Sequence, residues 1–119
     1  LLGMQAFSDL QSHPKLGASW EGFALETIIR SNKAERNAYF WATHAGAELD
    51  LLILRKGQRY GFEFKYADAP RLTKSMAIAI EDLRLERLYV VHPTGKRYPL
   101  SDKVEALSLP EAINALKDR

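Results

Sequence analysis

Cysteine is absent from this chain. Disulfide scaffolds and thiolate-held zinc are therefore excluded, and a reducing compartment is compatible with the composition. No apolar run approaches the roughly 20 residues that a membrane-spanning helix needs. The start, Leu1-Leu2-Gly3, carries neither a basic leader nor a cleavage pattern. It also lacks an initiating Met, so the expectation is a fragment of a longer, cytoplasmic protein. No glycine loop of the phosphate-cradling kind occurs, so no ATPase site lies within these residues. The three histidines, His13, His44 and His92, lie too far apart for a ligand motif and read as surface or capping residues. His44 alone stands just before a segment of interest. Neither sign of charge dominates: 17 basic side chains stand against 15 acidic ones, a net charge of +2. That balance excludes neither nucleic acid nor protein partners, because a local basic patch can bind phosphates.

Hydrophobic residues make up 46% of the 119, enough for a real core and of a size for one domain, residues 1–119. The segment from Leu1 to Leu10 reads as a short helix or the tail of one. Ser12 to Gly17 is a break punctuated by Pro14 and Gly17. A helix is expected from about Ala18 to Ser31. On a wheel of about 100° per residue, Trp20, Ala24, Leu25, Ile28 and Ile29 form one apolar arc. Glu21 falls near the middle of that arc, whereas Glu26 and Arg30 fall opposite. Asn37 to Thr43 is aromatic-rich and reads as a strand, as do Ala47 to Leu54 and Arg59 to Tyr66. Arg55-Lys56-Gly57-Gln58 is the hairpin turn between the last two.

Asp68 can cap a second helix with Pro70 in its first turn, running to about Leu83. Arg87 to His92 reads as a buried strand closed by Pro93. Thr94-Gly95-Lys96 is a turn, and Val104 to Leu107 a short strand. Ser108 and Glu111 match a capping box, with Pro110 suited to the first turn of a closing helix. The expected class is α/β: a mixed central sheet flanked by helices, in the order α-β-β-β-α-β, followed by a short C-terminal strand and helix.

The chemistry gathers between Ala47 and Tyr66. Period-two alternation puts Glu48 and Asp50 on one face of their strand, and Gly61, Glu63 and Lys65 on one face of the next. Half-burying three acids and a lysine is expensive unless something binds there. Asp50 and Glu63 can hold one Mg²⁺ between them, because hard divalent cations take carboxylate oxygens and keep several waters. The Phe64 carbonyl can complete the set, with Glu48 as a reserve ligand. Lys65 can orient an attacking water or offset charge building on a phosphate. Glu21 can add a ligand from the inward face of its helix. Against this stands a plain alternative: a cross-strand salt bridge on a solvated sheet face. Trp20, Tyr39, Phe40 and Trp41 read as core. Arg55, Lys56 and Arg59 read as a solvated turn. Arg71 and Lys74, near the start of the second helix, are candidates for contacts to a nucleic-acid backbone.

Asp50, then Glu63-Phe64-Lys65, preceded by helical Glu21, resembles the PD-(D/E)xK nuclease superfamily. More narrowly, Trp20-Glu21-Gly22-Phe23, Tyr39-Phe40-Trp41, Gly46-Ala47-Glu48-Leu49-Asp50 and Phe62-Glu63-Phe64-Lys65 look like a bacterial and archaeal domain of unknown function that follows an AAA-type ATPase module in longer proteins. The superfamily's proline is Leu49 here. The resemblance covers most of the chain. It implies a restriction-endonuclease-like core and Mg²⁺-dependent (or Mn²⁺-dependent) hydrolysis of DNA phosphodiesters. It makes Asp50 and Glu63 metal ligands, Lys65 the catalytic lysine and Glu21 an accessory acid and ligand. It also implies DNA and the preceding ATPase module as partners, with a homodimer open. The rivals are a non-catalytic module that binds nucleic acid or protein for that ATPase, and a structural or oligomerisation domain. Geometry separates them: the catalytic expectation needs Asp50 and Glu63 close together, Lys65 beside them and Glu21 facing them.

Overall fold

The computed structural model describes residues 4–6, 19–66, 70–93 and 96–117. Among them the chain forms, in order, β1 (Met4–Ala6), α1 (Trp20–Ser31), β2 (Ala38–Ala42), β3 (Glu48–Arg55), β4 (Gln58–Phe64), α2 (Lys74–Leu83), β5 (Arg87–His92), β6 (Tyr98–Pro99), β7 (Val104–Ser108) and α3 (Leu109–Asn114). The strands make one mixed sheet in the order β1-β2-β3-β4-β5-β7-β6. Pairing is antiparallel from β1 through β4, parallel across β4, β5 and β7, and antiparallel at the β6 edge. The parallel β4–β5 pair requires a crossover, and α2 supplies it.

Side chains sort to two faces. Tyr60, Phe62 and Phe64 of β4, with Tyr89 and Val91 of β5, pack under α1 and α3 against Leu25, Ile28, Ala112 and Leu116. Leu88 and Val90 of β5 point the other way, into a second cluster with Met76, Ala79 and Leu83 of α2. The sheet is thus covered on both faces, which is why the β5 run Leu-Tyr-Val-Val is apolar without alternation. No helix among the described residues is long and apolar enough to cross a membrane.

Local signals set the element ends. The Gly22 N–H donates to the Ser19 side chain at 3.1 Å, capping α1, and the Met76 N–H donates to the Thr73 side chain at 3.2 Å, capping α2. The capping box expected at Ser108 and Glu111 forms at α3. Lys56 and Gly57 both have positive φ, at 52° and 79°, as a two-residue hairpin turn of the I′ kind demands.

Three expectations need correction, and one short strand went unread. Met4–Ala6 is a strand, not helix, because β2 offers it an antiparallel partner, Met4 standing opposite Trp41; the rest of the segment before Ala18 lies outside the described residues. The α2 helix begins at Lys74 with Thr73 as its cap, so Pro70 precedes the helix instead of opening it. The Pro70 carbonyl instead accepts from the Tyr98 hydroxyl at 3.1 Å; Asp68 lies outside the described residues. The edge strand β6 has two residues, too few to leave a pattern. His92 is fully buried rather than on the surface, its Nε2 2.8 Å from the Lys96 carbonyl.

Gly61 is required by the packing between β4 and α2's cluster. A Cβ there would lie 2.8 Å from Leu85 Cδ1 and 3.2 Å from both terminal carbons of Leu49, and both leucines are fully buried. Gly61→Ala is expected to cost about 1–3 kcal/mol through overpacking, read as a lowered urea midpoint at unchanged slope. An unchanged midpoint would mean that the two leucines yield freely.

Candidate active site

Strands β3 and β4 run as a regular antiparallel pair from Arg55↔Gln58 up to Leu51↔Phe62. Beyond that pair the site begins. The Asp50 N–H donates to Glu63 Oε2 at 2.9 Å, and the Phe64 N–H donates to Asp50 Oδ2 at 3.0 Å. Each strand thus presents a backbone N–H to the other strand's carboxylate. A buried N–H left bare costs about 1–3 kcal/mol, so these bonds hold the two acids inward. Asp50 is 5% exposed and Glu63 6%.

A bulge in β3 prepares this arrangement. Tyr39 pairs with Leu52, but Trp41 pairs with Leu49, so three steps on β3 match two on β2. Strict alternation fails between them: Leu49 and Leu52 both face the α2 cluster, while Leu51 and Ile53 face α1. Bulges of this kind re-aim side chains. The period-two expectation that joined Glu48 to Asp50 does not carry through this segment. Glu48 is exposed, and its backbone N–H and carbonyl both bond the Ser75 hydroxyl, at 2.9 and 3.2 Å.

Burial pushes the Glu63 carboxyl up to about 9, helped by the charge of Asp50 and a side-chain hydrogen bond between them. The Asp50 N–H and the charge of Lys65 pull the other way. At neutral pH the Glu63 carboxyl therefore holds a proton, which relieves like-charge repulsion across the pair. Lys65 continues the β4 ladder, its N–H donating to the Val91 carbonyl at 2.9 Å, and its side chain is exposed.

Glu21 comes from α1. It sits half-buried in the first turn of α1 and lines a groove of about 520 Å³ with Ser19, Trp20 and Tyr66. Among the described residues no three His, Cys, Asp or Glu side chains gather as a metal-holding group. The Asp50–Glu63 pair is a two-carboxylate donor set. That fits a hard cation such as Mg²⁺, which is commonly held by one or two carboxylates and completed by waters and substrate phosphate.

Arg71 and Lys74 are exposed, and Lys74 is the first residue of α2. Arg59, expected to be solvated, donates to the Leu83 carbonyl at 3.0 Å and so closes the end of α2. Trp41 is core, whereas Trp20, Tyr39 and Phe40 are only partly covered. Tyr66, which sequence reasoning only placed on the side of Phe62 and Phe64, lines the groove with Glu21. Its signal was a large aromatic one position past Lys65, at a strand end where no core remains to receive it.

The proton on Glu63 ties stability to pH. Its value is about 9 in the fold against an ordinary 4.5, so between those pH values the unfolded chain binds fewer protons than the native one. Stability then falls as pH rises, with a slope bounded by one proton, about 1.4 kcal/mol per pH unit. Thermal melts in chelator between pH 5.5 and 8.5 are expected to show wild type losing stability while Glu63→Gln stays flatter. Parallel profiles for the two would remove the stored proton from the account.

Residues 16–112 match the model of the family described as a domain of unknown function, DUF4143. Two curated relatives are the uncharacterized protein Rv2008c of Mycobacterium tuberculosis and the uncharacterized protein Mb2031c of Mycobacterium bovis. Each is 46% identical over 113 residues, 95% of this chain. The chain spans 25% of the length of each relative. No solved structure matches it. With the family model covering most of its length, the chain belongs to the DUF4143 family.

Proposed function

We propose that this chain is a PD-(D/E)xK-like nuclease domain, with a restriction-endonuclease-like core, that hydrolyses DNA phosphodiesters with Mg²⁺ or Mn²⁺. The observation that carries the reading is the buried Asp50–Glu63 pair, held on adjacent strands by reciprocal N–H bonds with Lys65 two residues on. The order α1, β2, β3, β4, α2, β5 supports it, being the order of that superfamily's core. Attachment to an AAA-type ATPase module belongs to the same proposal. It is supported by the resemblance and by the three quarters of each relative that lie outside the match.

A bound cation would polarise the phosphate and lower the pKa of a coordinated water. The chain's own groups do the rest. Asp50 and Glu63 would hold such an ion from their two strands, and Glu63 would release its proton to do so. The flanking apolar clusters keep water from competing for these oxygens. Lys65, exposed at the mouth, places its ammonium by the scissile phosphate, where it offsets the charge that grows as water attacks phosphorus and the P–O bond to the leaving oxygen breaks. Arg71 and Lys74 hold the neighbouring phosphates.

A second reading, a non-catalytic module of the same fold that binds nucleic acid or protein, has one observation in its favour. Both carboxylates already accept backbone N–H groups, so the pair also has work as a strand clamp.

Asp50→Asn and Glu63→Gln keep an oxygen for those N–H groups but can no longer present an anionic carboxylate to a cation. Each, and Lys65→Ala, is expected to lower Mg²⁺-dependent cleavage by at least about 100-fold while leaving the fold intact by circular dichroism. The assay uses supercoiled, linear and single-stranded DNA. Cleavage that survives all three changes sinks the proposal. A folded wild type that binds DNA but cuts none of these forms with Mg²⁺ or Mn²⁺ selects the second reading.

A further inference from the structure

The groove beside α1 has no part in the chemistry above. Its floor is aromatic: Trp20 and Tyr66 have ring centroids 5.9 Å apart with planes inclined at 52°. Tyr66 is 71% exposed, far more than a core aromatic, and Phe23 on the same helix is 61% exposed. The groove's volume, about 520 Å³, lies within the range of small-ligand clefts, roughly 300–1,000 Å³. Its position follows from strand alternation. Phe62 and Phe64 face α1, and Tyr66 continues that row to meet Trp20. Lys65, one residue earlier, belongs to the row of Gly61 and Glu63, toward the other face.

We propose that this groove receives one unpaired base of a single DNA strand, stacked on Tyr66 with Trp20 as the adjoining wall. The proposal rests on the nuclease reading for the position of the phosphate and names the substrate class of that site. A strand whose phosphate sits by Lys65 has its next base within reach of the neighbouring residue, Tyr66. A phosphate does not suit the groove itself, because the Glu21 carboxylate lines it. A base does, since its flat face can stack on the exposed Tyr66 ring. Stacking on a protein ring needs an open base face, and an intact duplex covers both faces. The site therefore selects single strands, flaps or frayed ends over blunt duplex.

The test separates stacking from cleavage by omitting the catalytic cation. Binding of a fluorescein-labelled mixed-sequence single strand to the 119-residue chain is read by anisotropy in EDTA, with a blunt hairpin duplex of equal length as comparison. The single strand is expected to bind more tightly than the duplex and to quench tryptophan emission. The quenching is expected to vanish in Trp20→Phe, because the other tryptophan, Trp41, is buried at 2% exposure. Tyr66→Ala is expected to weaken single-strand binding about tenfold and duplex binding little, and Tyr66→Phe to restore it. Tyr66 is exposed, so its removal leaves the fold standing, which a melt checks. Equal affinity for the two DNA forms, or unchanged single-strand binding in Tyr66→Ala, overturns the proposal even if the chain cleaves DNA. Selective binding that depends on Tyr66 upholds it even if no cleavage is found.

Discussion

Where β3 and β4 stop pairing, two backbone N–H groups, those of Asp50 and Phe64, would be buried without partners. The ladder's last regular pair is Leu51↔Phe62, and beyond it these N–H groups donate to the carboxylates of Glu63 and Asp50. Much of the molecule answers to that constraint. The acids must point inward to satisfy the amides, so they lose water. Having lost water side by side, they cannot both be charged, and Glu63 keeps its proton up to about pH 9. A cation between them would take the place of that proton. On the nuclease reading proposed above, the bonds that stabilise the parting of the strands also hold the two carboxylates side by side.

Legibility from sequence followed the strength of the local signals. The α1 arc, the aromatic β2, the hairpin at Lys56-Gly57 and the capping box at Ser108 each rest on chemistry within a few residues, and all appear. Asp50 and Glu63 were readable as neighbours because a short hairpin fixes the register of its two strands. Glu48 was misjudged as Asp50's companion because the bulge that separates them depends on pairing with β2, a contact with no local signature. His92 was read as a surface or capping residue although it ends a strand read as buried. Its burial depends on the chain returning as β6, with Tyr98 beside the imidazole at a ring distance of 6.1 Å. The start of α2 was placed early because Pro70 resembles a first-turn proline, whereas the cap that closes the geometry is Thr73.

Glu21 shows how an inward-facing residue on a helix wheel can still face something other than the core. Its half-buried setting agrees with its place in the apolar arc of α1. Yet the arc's first turn meets the exposed Tyr66 through Trp20 rather than a strand interior. The end of β4 therefore serves two faces by simple alternation. Glu63 and Lys65 project to one, and Phe64 and Tyr66 to the other. A ligand lying across that strand end meets a carboxylate pair and an ammonium on one side and an aromatic shelf on the other. A nucleotide has the matching division, an anionic phosphodiester joined to a flat base by a sugar. On the proposals above, the period of two that organises an ordinary strand would, at the end of β4, hold both halves of one nucleotide.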